Sequence, residues 1–232
     1  CCRLRSEISD RTFSYSLGAG GVATGSINVI TLNMNRLIQD GRDLATEVSK
    51  IQRYQVAYRA LMEEYKNAGL LTVYDAGFIS LDKQFLTIGI NGMTEAAEYL
   101  GLQPGNNAPY LDFVRGQLKI IYDANRQARQ DYGYMFNTEF VPAENLGVKN
   151  AKWDREDGYQ VNRDCYNSYF YLVEDEQNNL LDKFVLHGKT LLEYLDGGSA
   201  LHLNLEEKLH AKGNLALLDL AAKTGCNYFC VN

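Results

Sequence analysis

Proline is scarce, three residues in 232, which leaves little room for a Pro-rich linker or a disordered tail. No apolar run approaches the roughly 18 to 20 residues that span a bilayer, and no signal peptide stands before Cys1. The expected compartment is therefore the cytoplasm, with no membrane partner. Lysine and arginine form no block, and the net charge is -6. A surface of that sign is not built to neutralise phosphates along a strand, so a nucleic-acid polymer is not an expected partner. Cysteine is present five times, as Cys1, Cys2, Cys165, Cys226 and Cys230. An odd number without framework spacing points to reduced thiols rather than a disulfide scaffold. An initiator methionine is missing too, so either processing has exposed Cys1 or this is a piece of a longer polypeptide. Internal repeats and low-complexity segments are absent.

What remains is ordinary globular composition. Hydrophobic residues are 46% and charged residues 22%, enough for one substantial domain or most of one half of a larger one. Val22 to Leu32 is β-branched and apolar behind a glycine-rich turn, which predicts a strand. Leu37, Leu44, Val48, Ile51, Tyr58, Leu61 and Tyr65 recur at helical spacing, predicting one long amphipathic helix that packs this stripe in the core and ends near Gly69. Gln84 to Ile90 reads as a strand, Gly89-Ile90-Asn91-Gly92 as a tight turn, and Thr94 to Gly101 as a helix. An anion could sit at such a turn, but a plain strand-to-helix connection explains it as well. A second long helix is expected from about Pro109 to Tyr132, carried by Leu111, Val114, Leu118 and Ile121. Tyr134 to Val141 reads as a strand, Leu180 to Leu195 as a helix, Asp196 to Ser199 as a turn and Leu201 to Leu205 as a strand. Leu215 to Lys223 closes as a helix, followed by a strand near Asn227 to Val231. The aromatic group at Tyr166 to Tyr171 is followed by Glu174-Asp175-Glu176, which would repel phosphates, so these rings are read as packing and a pocket wall. Strands separated by long helices predict an α/β architecture with at least partly parallel strands.

The chain opens on Cys1-Cys2-Arg3, beside glycines that permit conformations other residues resist. A thiol can act as a nucleophile when ionised and can carry a sulfur radical, whereas a pair of buried, inert thiols is the plainer alternative. Cys2-Arg3, a spacer, and then Gly25-Ser26-Ile27-Asn28-Val29-Ile30-Thr31-Leu32-Asn33 resembles the cysteine loop of the anaerobic (class III) ribonucleotide reductases, which are glycyl-radical enzymes. Phe85 to Met93, Asn137 to Glu144 and Gly197 to His202 are similar to further segments of that family, in its order. Four ordered segments are far more specific than one.

The resemblance implies part of a ten-stranded α/β barrel made of two half-sheets, with the cysteine on a finger loop through its middle. Residues 1–232 would be the C-terminal portion of the catalytic barrel, without the regulatory domain, the zinc segment or the radical glycine. The implied activity is reduction of ribonucleoside triphosphates to deoxyribonucleotides. By the same resemblance Cys2, which precedes Arg3, carries the thiyl radical. Pro142, Ala143 and Glu144 are similar to the family's nucleotide-phosphate segment, and Glu139 and Ser26 are further substrate-side candidates. A solvated or structural role for Glu139 and Glu144 is about as well supported by the residues themselves. Ser26 stands where the formate-using branch has an asparagine, which turns the expectation to a thiol reductant delivered by a redoxin-type protein. The implied cofactor is a glycyl radical on a glycine outside these residues. Zinc belongs to the full-length family and is assigned to no residue here, Cys226 and Cys230 being a poor ligand pair on their own. The implied partners are a radical-SAM activating enzyme and, for the full-length protein, a second copy in a homodimer. His202 is read as a packing histidine. The isolated 232 residues are expected to be inactive. Two other readings remain open: another glycyl-radical enzyme acting on a small acid or diol, and a non-catalytic scaffold.

Overall fold

The computed structural model describes residues 6–8, 12–14, 25–140, 142–173, 178–205 and 208–231, with the backbone alone for 6–8, 12–14 and 144. Strands β1 (Ser6–Ile8) and β2 (Thr12–Ser14) pair antiparallel. Cys1 and Cys2, with the glycine-rich turn after them, lie outside the described residues.

Strand β3 (Gly25–Asn33) leads into helix α1 (Met34–Gln39), whose first turn is capped by the Asn33 side chain. Helix α2 (Leu44–Asn67) follows, capped by Asp43, whose carboxylate accepts from Thr46 N at 2.9 Å. The sequence pattern predicts one helix here. The chain breaks it because Gly41 takes a φ of +61° and Asp43 starts a new helix with its own side chain.

A short helix α3 (Thr72–Asp75) and a 3-10 turn (Leu81–Lys83) precede strand β4 (Gln84–Asn91), which is buried along its whole length. Gly92, at a φ of +74°, turns the chain into helix α4 (Met93–Tyr99), a plain strand-to-helix connection. Helix α5 (Ala108–Tyr132) is capped by Asn107, carries Pro109 in its first turn and stops at Gly133 in the left-handed region. Its predicted stripe is inward: Val114, Leu118 and Ile121 are fully buried.

Strand β5 (Met135–Phe140) is followed by helix α6 (Glu144–Glu156), which the sequence pattern does not foresee. The expected helix over 180–195 forms two pieces, α7 (Leu180–Leu186) and α8 (Lys189–Leu192), because Gly188 between them is extended, at φ -100° and ψ -169°. Gly198–Ser199, read as turn, is strand β6. Strand β7 (Leu201–Leu203), helix α9 (Ala211–Thr224) and strand β8 (Phe229–Val231) end the described chain.

The main sheet has the order β3-β4-β5-β6 with every neighbour parallel, and β7 pairs parallel with β8. This is the expected α/β class. Parallel neighbours need crossovers, and the long helices α2 and α5 supply them. One face of the sheet packs Leu32, Ile88, Ile90 and Phe140 against Val114, Leu118 and Ile121 of α5.

The α2 stripe is only half as predicted. Leu44 and Val48 are buried, but Tyr58, Leu61 and Tyr65 are 39%, 39% and 43% exposed. Polar residues take the inward line instead. Gln52 donates to Asn125 Oδ1 at 2.9 Å, Gln55 to the Thr87 carbonyl at 2.7 Å, and Arg59 to the Leu81 carbonyl. Each buried donor thereby finds an acceptor, which makes its burial tolerable.

Candidate active-site cavity at the strand ends

The register of the sheet sets the site. Thr31 pairs with Gly89, Gly89 with Glu139, and Glu139 with Gly198, so one row crosses all four strands near their C-terminal ends. A cavity of about 140 Å³ opens over this row, lined by Val29, Thr31, Gly89, Ile90, Glu139, Pro142 and Ala143. In open α/β sheets the carboxyl ends of parallel strands are where ligands bind.

Glycine keeps the row open. A Cβ built on Gly89 would lie 2.5 Å from Thr31 Oγ1, so the Thr31 side chain crosses onto β4 only because Gly89 has none. On the other side of Glu139, a Cβ on Gly197 would lie 2.6 Å from the Thr138 carbonyl and 2.9 Å from Glu139 Cβ. The loop carrying Gly197 is pinned there by Asp196, which accepts Thr138 N at 2.9 Å and pairs with Arg129. Burial raises the Asp196 carboxyl above its ordinary value, against the pull of Arg129. Glu139 itself is 2% exposed and sits in the slot between the two glycine positions.

Beneath this row runs a second one. Thr87 donates to Asn137 Oδ1 at 2.7 Å, and the Ser26 and Thr87 hydroxyls are 2.5 Å apart. Thr87 has one proton, so with Asn137 as its acceptor Ser26 donates to Thr87.

Helix α6 begins at the cavity wall. Ala143 precedes it without a capping side chain, and its own N–H donates to Ser168 Oγ at 3.1 Å. The first-turn N–H groups of a helix have no acceptor within it, and they carry the positive end of the helix dipole. The segment 165–168 lies over this turn, because Gly147 lets the Tyr166 carbonyl come within 2.7 Å of where a Cβ would stand. Farther along α6, Asp154 is fully buried and accepts from Asn33 Nδ2 at 2.9 Å, Arg36 Nε at 2.7 Å and Tyr166 Oη at 2.7 Å. That network holds α6 over the ends of β3 and β4. The Tyr166 hydroxyl is pushed upward by burial first and by Asp154 second.

Of the residues that the sequence singles out, Glu139, Pro142 and Ala143 come together on the cavity. Glu144 is the first residue of α6, and its side chain lies outside the described residues. Ser26 is at the start of β3, several residues below the cavity row, and is not among the residues that line the cavity; its hydroxyl lies 2.5 Å from that of Thr87. Cys2 lies outside the described residues. Val29, Thr31, Gly89 and Ile90 complete the lining; strand alternation through Gly25 to Asn33 was the available signal for the first two.

The thiols at the C-terminal end are of another kind. Burial pushes Cys226 up to about 11 and raises Cys230 as well, so neither is poised as a thiolate. No group of three or more His, Cys, Asp or Glu among the described residues could hold a metal ion, and this pair does not fit the zinc of the resembled family. No helix among the described residues is long and apolar enough to cross a membrane.

Comparison with known proteins gives the family. The family model described as anaerobic ribonucleoside-triphosphate reductase matches residues 1–232. Among solved structures, the anaerobic ribonucleotide reductase from Thermotoga maritima in complex with dATP and CTP is similar at 26% identity and a TM-score of 0.81, covering 90% of this chain and 37% of that one. The same Thermotoga maritima enzyme with glycerol in its active site gives 27% and 0.84, with coverage of 90% and 37%. The chain thus spans little more than a third of the length of the structures it matches. Comparison with curated protein sequences finds no match.

Proposed function

We propose, on the premise that this chain belongs to the anaerobic ribonucleoside-triphosphate reductase family, that it is the C-terminal portion of a ten-stranded catalytic barrel and that its cavity receives the ribonucleotide substrate. The observation that carries the reading is the convergence on one cavity of Glu139, Pro142, Ala143 and the uncapped start of α6. First-turn N–H groups suit an anion, so the triphosphate lies toward Ala143 and Glu144. The ribose then lies over Val29, Thr31 and Gly89, with the Glu139 carboxylate as acceptor for a ribose hydroxyl. A carboxylate beside a triphosphate would repel it, so Glu139 belongs at the sugar, and at Glu144 it is the backbone N–H that would meet the phosphates.

The family resemblance assigns the reactive sulfur to Cys2, which lies outside the described residues. Its thiyl form takes the 3′-hydrogen, leaving a carbon radical on the ribose. Two thiols of the reductant supply two electrons and two protons and become a disulfide: one proton leaves with the 2′-hydroxyl as water, the other ends at C2′, and Cys2 returns the hydrogen to C3′. The glycyl radical of the family, when present, supplies the oxidising equivalent that starts the cycle. Closing the pocket against water protects such a radical from side reactions. Ser26 is assigned to the reductant side of the site by the family resemblance. The same proposal includes an activating enzyme of the radical-SAM class, a redoxin-type thiol donor and a homodimer of the full-length chain.

The test is product formation by the full-length polypeptide, activated without oxygen and given a ribonucleoside triphosphate. Deoxyribonucleotide should form, Cys2→Ala should abolish it while nucleotide still binds, and Cys1→Ala should retain turnover. An active Cys2→Ala enzyme beside a silent Cys1→Ala enzyme would reverse the assignment of the two sulfurs. Consumption of a small acid or diol in place of the nucleotide would overturn the reading.

A further inference from the structure

Asp154 is a buried carboxylate with no lone pair left for a ligand. A carboxylate has about four acceptor positions, and here all are taken: Oδ1 accepts Asn33 Nδ2 at 3.0 Å and Arg36 Nε at 2.7 Å, while Oδ2 accepts Asn33 Nδ2 at 2.9 Å and Tyr166 Oη at 2.7 Å. The donors come from three places. Asn33 closes β3, Arg36 stands on α1, and Tyr166 belongs to the segment lying over the start of α6. Beside them Asn150 Nδ2 donates to Asn91 Oδ1 at 2.9 Å, tying the same helix to the end of β4.

Tyr166 carries this anchorage back to the first turn of α6. Its hydroxyl donates to Asp154 and accepts Asn35 Nδ2 at 2.6 Å, and its ring lies against the turn after β4, where a Cβ on Gly92 would stand 3.1 Å from Tyr166 Cδ2. Its backbone N–H donates to the Gly147 carbonyl at 3.3 Å, and two residues on Ser168 Oγ accepts Ala143 N at 3.1 Å. Residues 166–168 thus form a strap, held at one end by Asp154 and fastened at the other to the residue before α6.

We propose that Asp154 is a positioning residue for the phosphates of the substrate: through the Tyr166 strap it sets where the first-turn N–H groups of α6, from Glu144 to Leu146, point. The inference rests on the substrate reading above and adds to it a residue that never touches the nucleotide. Roughly 15 Å of helix rise separates Asp154 from Glu144. A negative charge there can only repel a triphosphate, weakly at that distance and with Arg36 paired to it at 2.7 Å. By charge alone, losing the carboxylate would leave phosphate binding unchanged or tighten it. Loss of position weakens it, so the two causes differ in sign.

The experiment is amide exchange of the full-length, radical-free enzyme titrated with a ribonucleoside triphosphate and, separately, with the matching ribonucleoside, the affinity at this site being read from protection of residues 29–31. Asp154→Asn keeps the size but turns one acceptor oxygen into a donor. Because misplacing a group by about 1 Å can cost about 100-fold, a smaller shift should weaken the triphosphate about tenfold and the ribonucleoside less than about twofold. At saturation the variant should keep protection at 29–31 and lose it at 144–146. Tyr166→Phe leaves Asp154 its charge and its bonds to Asn33 and Arg36, so it should fold even where Asp154→Asn does not, and it should weaken the triphosphate about threefold in the same selective way. Equal weakening of both ligands would make the network merely structural, and triphosphate binding unchanged or tighter would leave only charge; either overturns the proposal. Protection at 144–146 that is present in the parent and kept in both variants fails this inference alone. A parent that shows none there fails the substrate reading and this inference with it.

Discussion

Replacing Gly89 by alanine would close the cavity floor from below. The new Cβ would stand 2.5 Å from Thr31 Oγ1 and 3.3 Å from Thr31 Cβ. The first distance is not tolerable and the second is tight, so Thr31 must rotate or β3 and β4 must part. Overpacking of this kind costs about 1–3 kcal/mol. Part of it appears as lost stability and part as lost binding, since Thr31 would swing into the space above. If the whole cost fell on binding, affinity would drop about 5- to 150-fold. The assay is equilibrium binding of a ribonucleoside triphosphate to the full-length, radical-free enzyme, with thermal unfolding measured beside it. Thr31→Ala alone should have a smaller effect, and the Gly89→Ala/Thr31→Ala pair should recover much of the loss, because the clash is between these two residues. A Gly89→Ala enzyme that binds like the parent would refute the cavity as the substrate site. A pair no better than Gly89→Ala alone would refute the steric cause.

Two further outcomes are expected. With Ser26 in place, the full-length enzyme should turn over with a thiol donor and ignore formate, and labelled formate consumed in step with product would reverse that. Stability should fall as pH drops below about 6.5, because His187 is fully buried and its pKa is lowered to about 3 by burial first and His202 second. The folded state then binds fewer protons than the unfolded one, so the stabilisation is complete above the unfolded value and is lost toward the folded one. The slope in that window is about 1.4 kcal/mol per pH unit for one proton. Denaturant titrations should show it, and His187→Gln should flatten it; an unchanged slope would assign it to other groups. His187 Nε2 accepts Phe170 N at 3.4 Å, which places the ring proton on Nδ1 toward Ser199 Oγ at 3.0 Å.

The parts of the fold that were legible are those where packing and pattern agree. Helix α5 shows Val114, Leu118 and Ile121 at helical spacing before Gly133, and each of these lands where expected, while its Asn107 cap is seen only in the structure. Strand β4 and the Gly92 turn follow from alternation and a glycine. Helix α6 was not legible because its inward residues are Asn150, Ala151 and Asp154, held by hydrogen bonds rather than by an apolar stripe. The same substitution of polar partners for apolar packing misplaced the α2 stripe, since nothing local in Gln52 or Gln55 reveals that Asn125 and the Thr87 carbonyl wait for them. At the site, Glu139, Pro142 and Ala143 were reached through family resemblance. Their convergence with Thr31 and Gly89 needed the register, which pairs residues about fifty positions apart. Ser26 shows the limit of that route: its strand was right, but its hydroxyl meets Thr87 below the cavity rather than lining it.

The central claim is that a ribonucleoside triphosphate occupies the space between the ends of β3, β4 and β5 and the start of α6. Amide hydrogen exchange of the full-length enzyme, with and without ribonucleoside triphosphate, tests it most directly. Exchange should slow at residues 29–31, at Glu139 and across the first turn of α6 from Glu144 to Gly147. Saturating nucleotide that leaves all of these unchanged and protects other segments instead would contradict it.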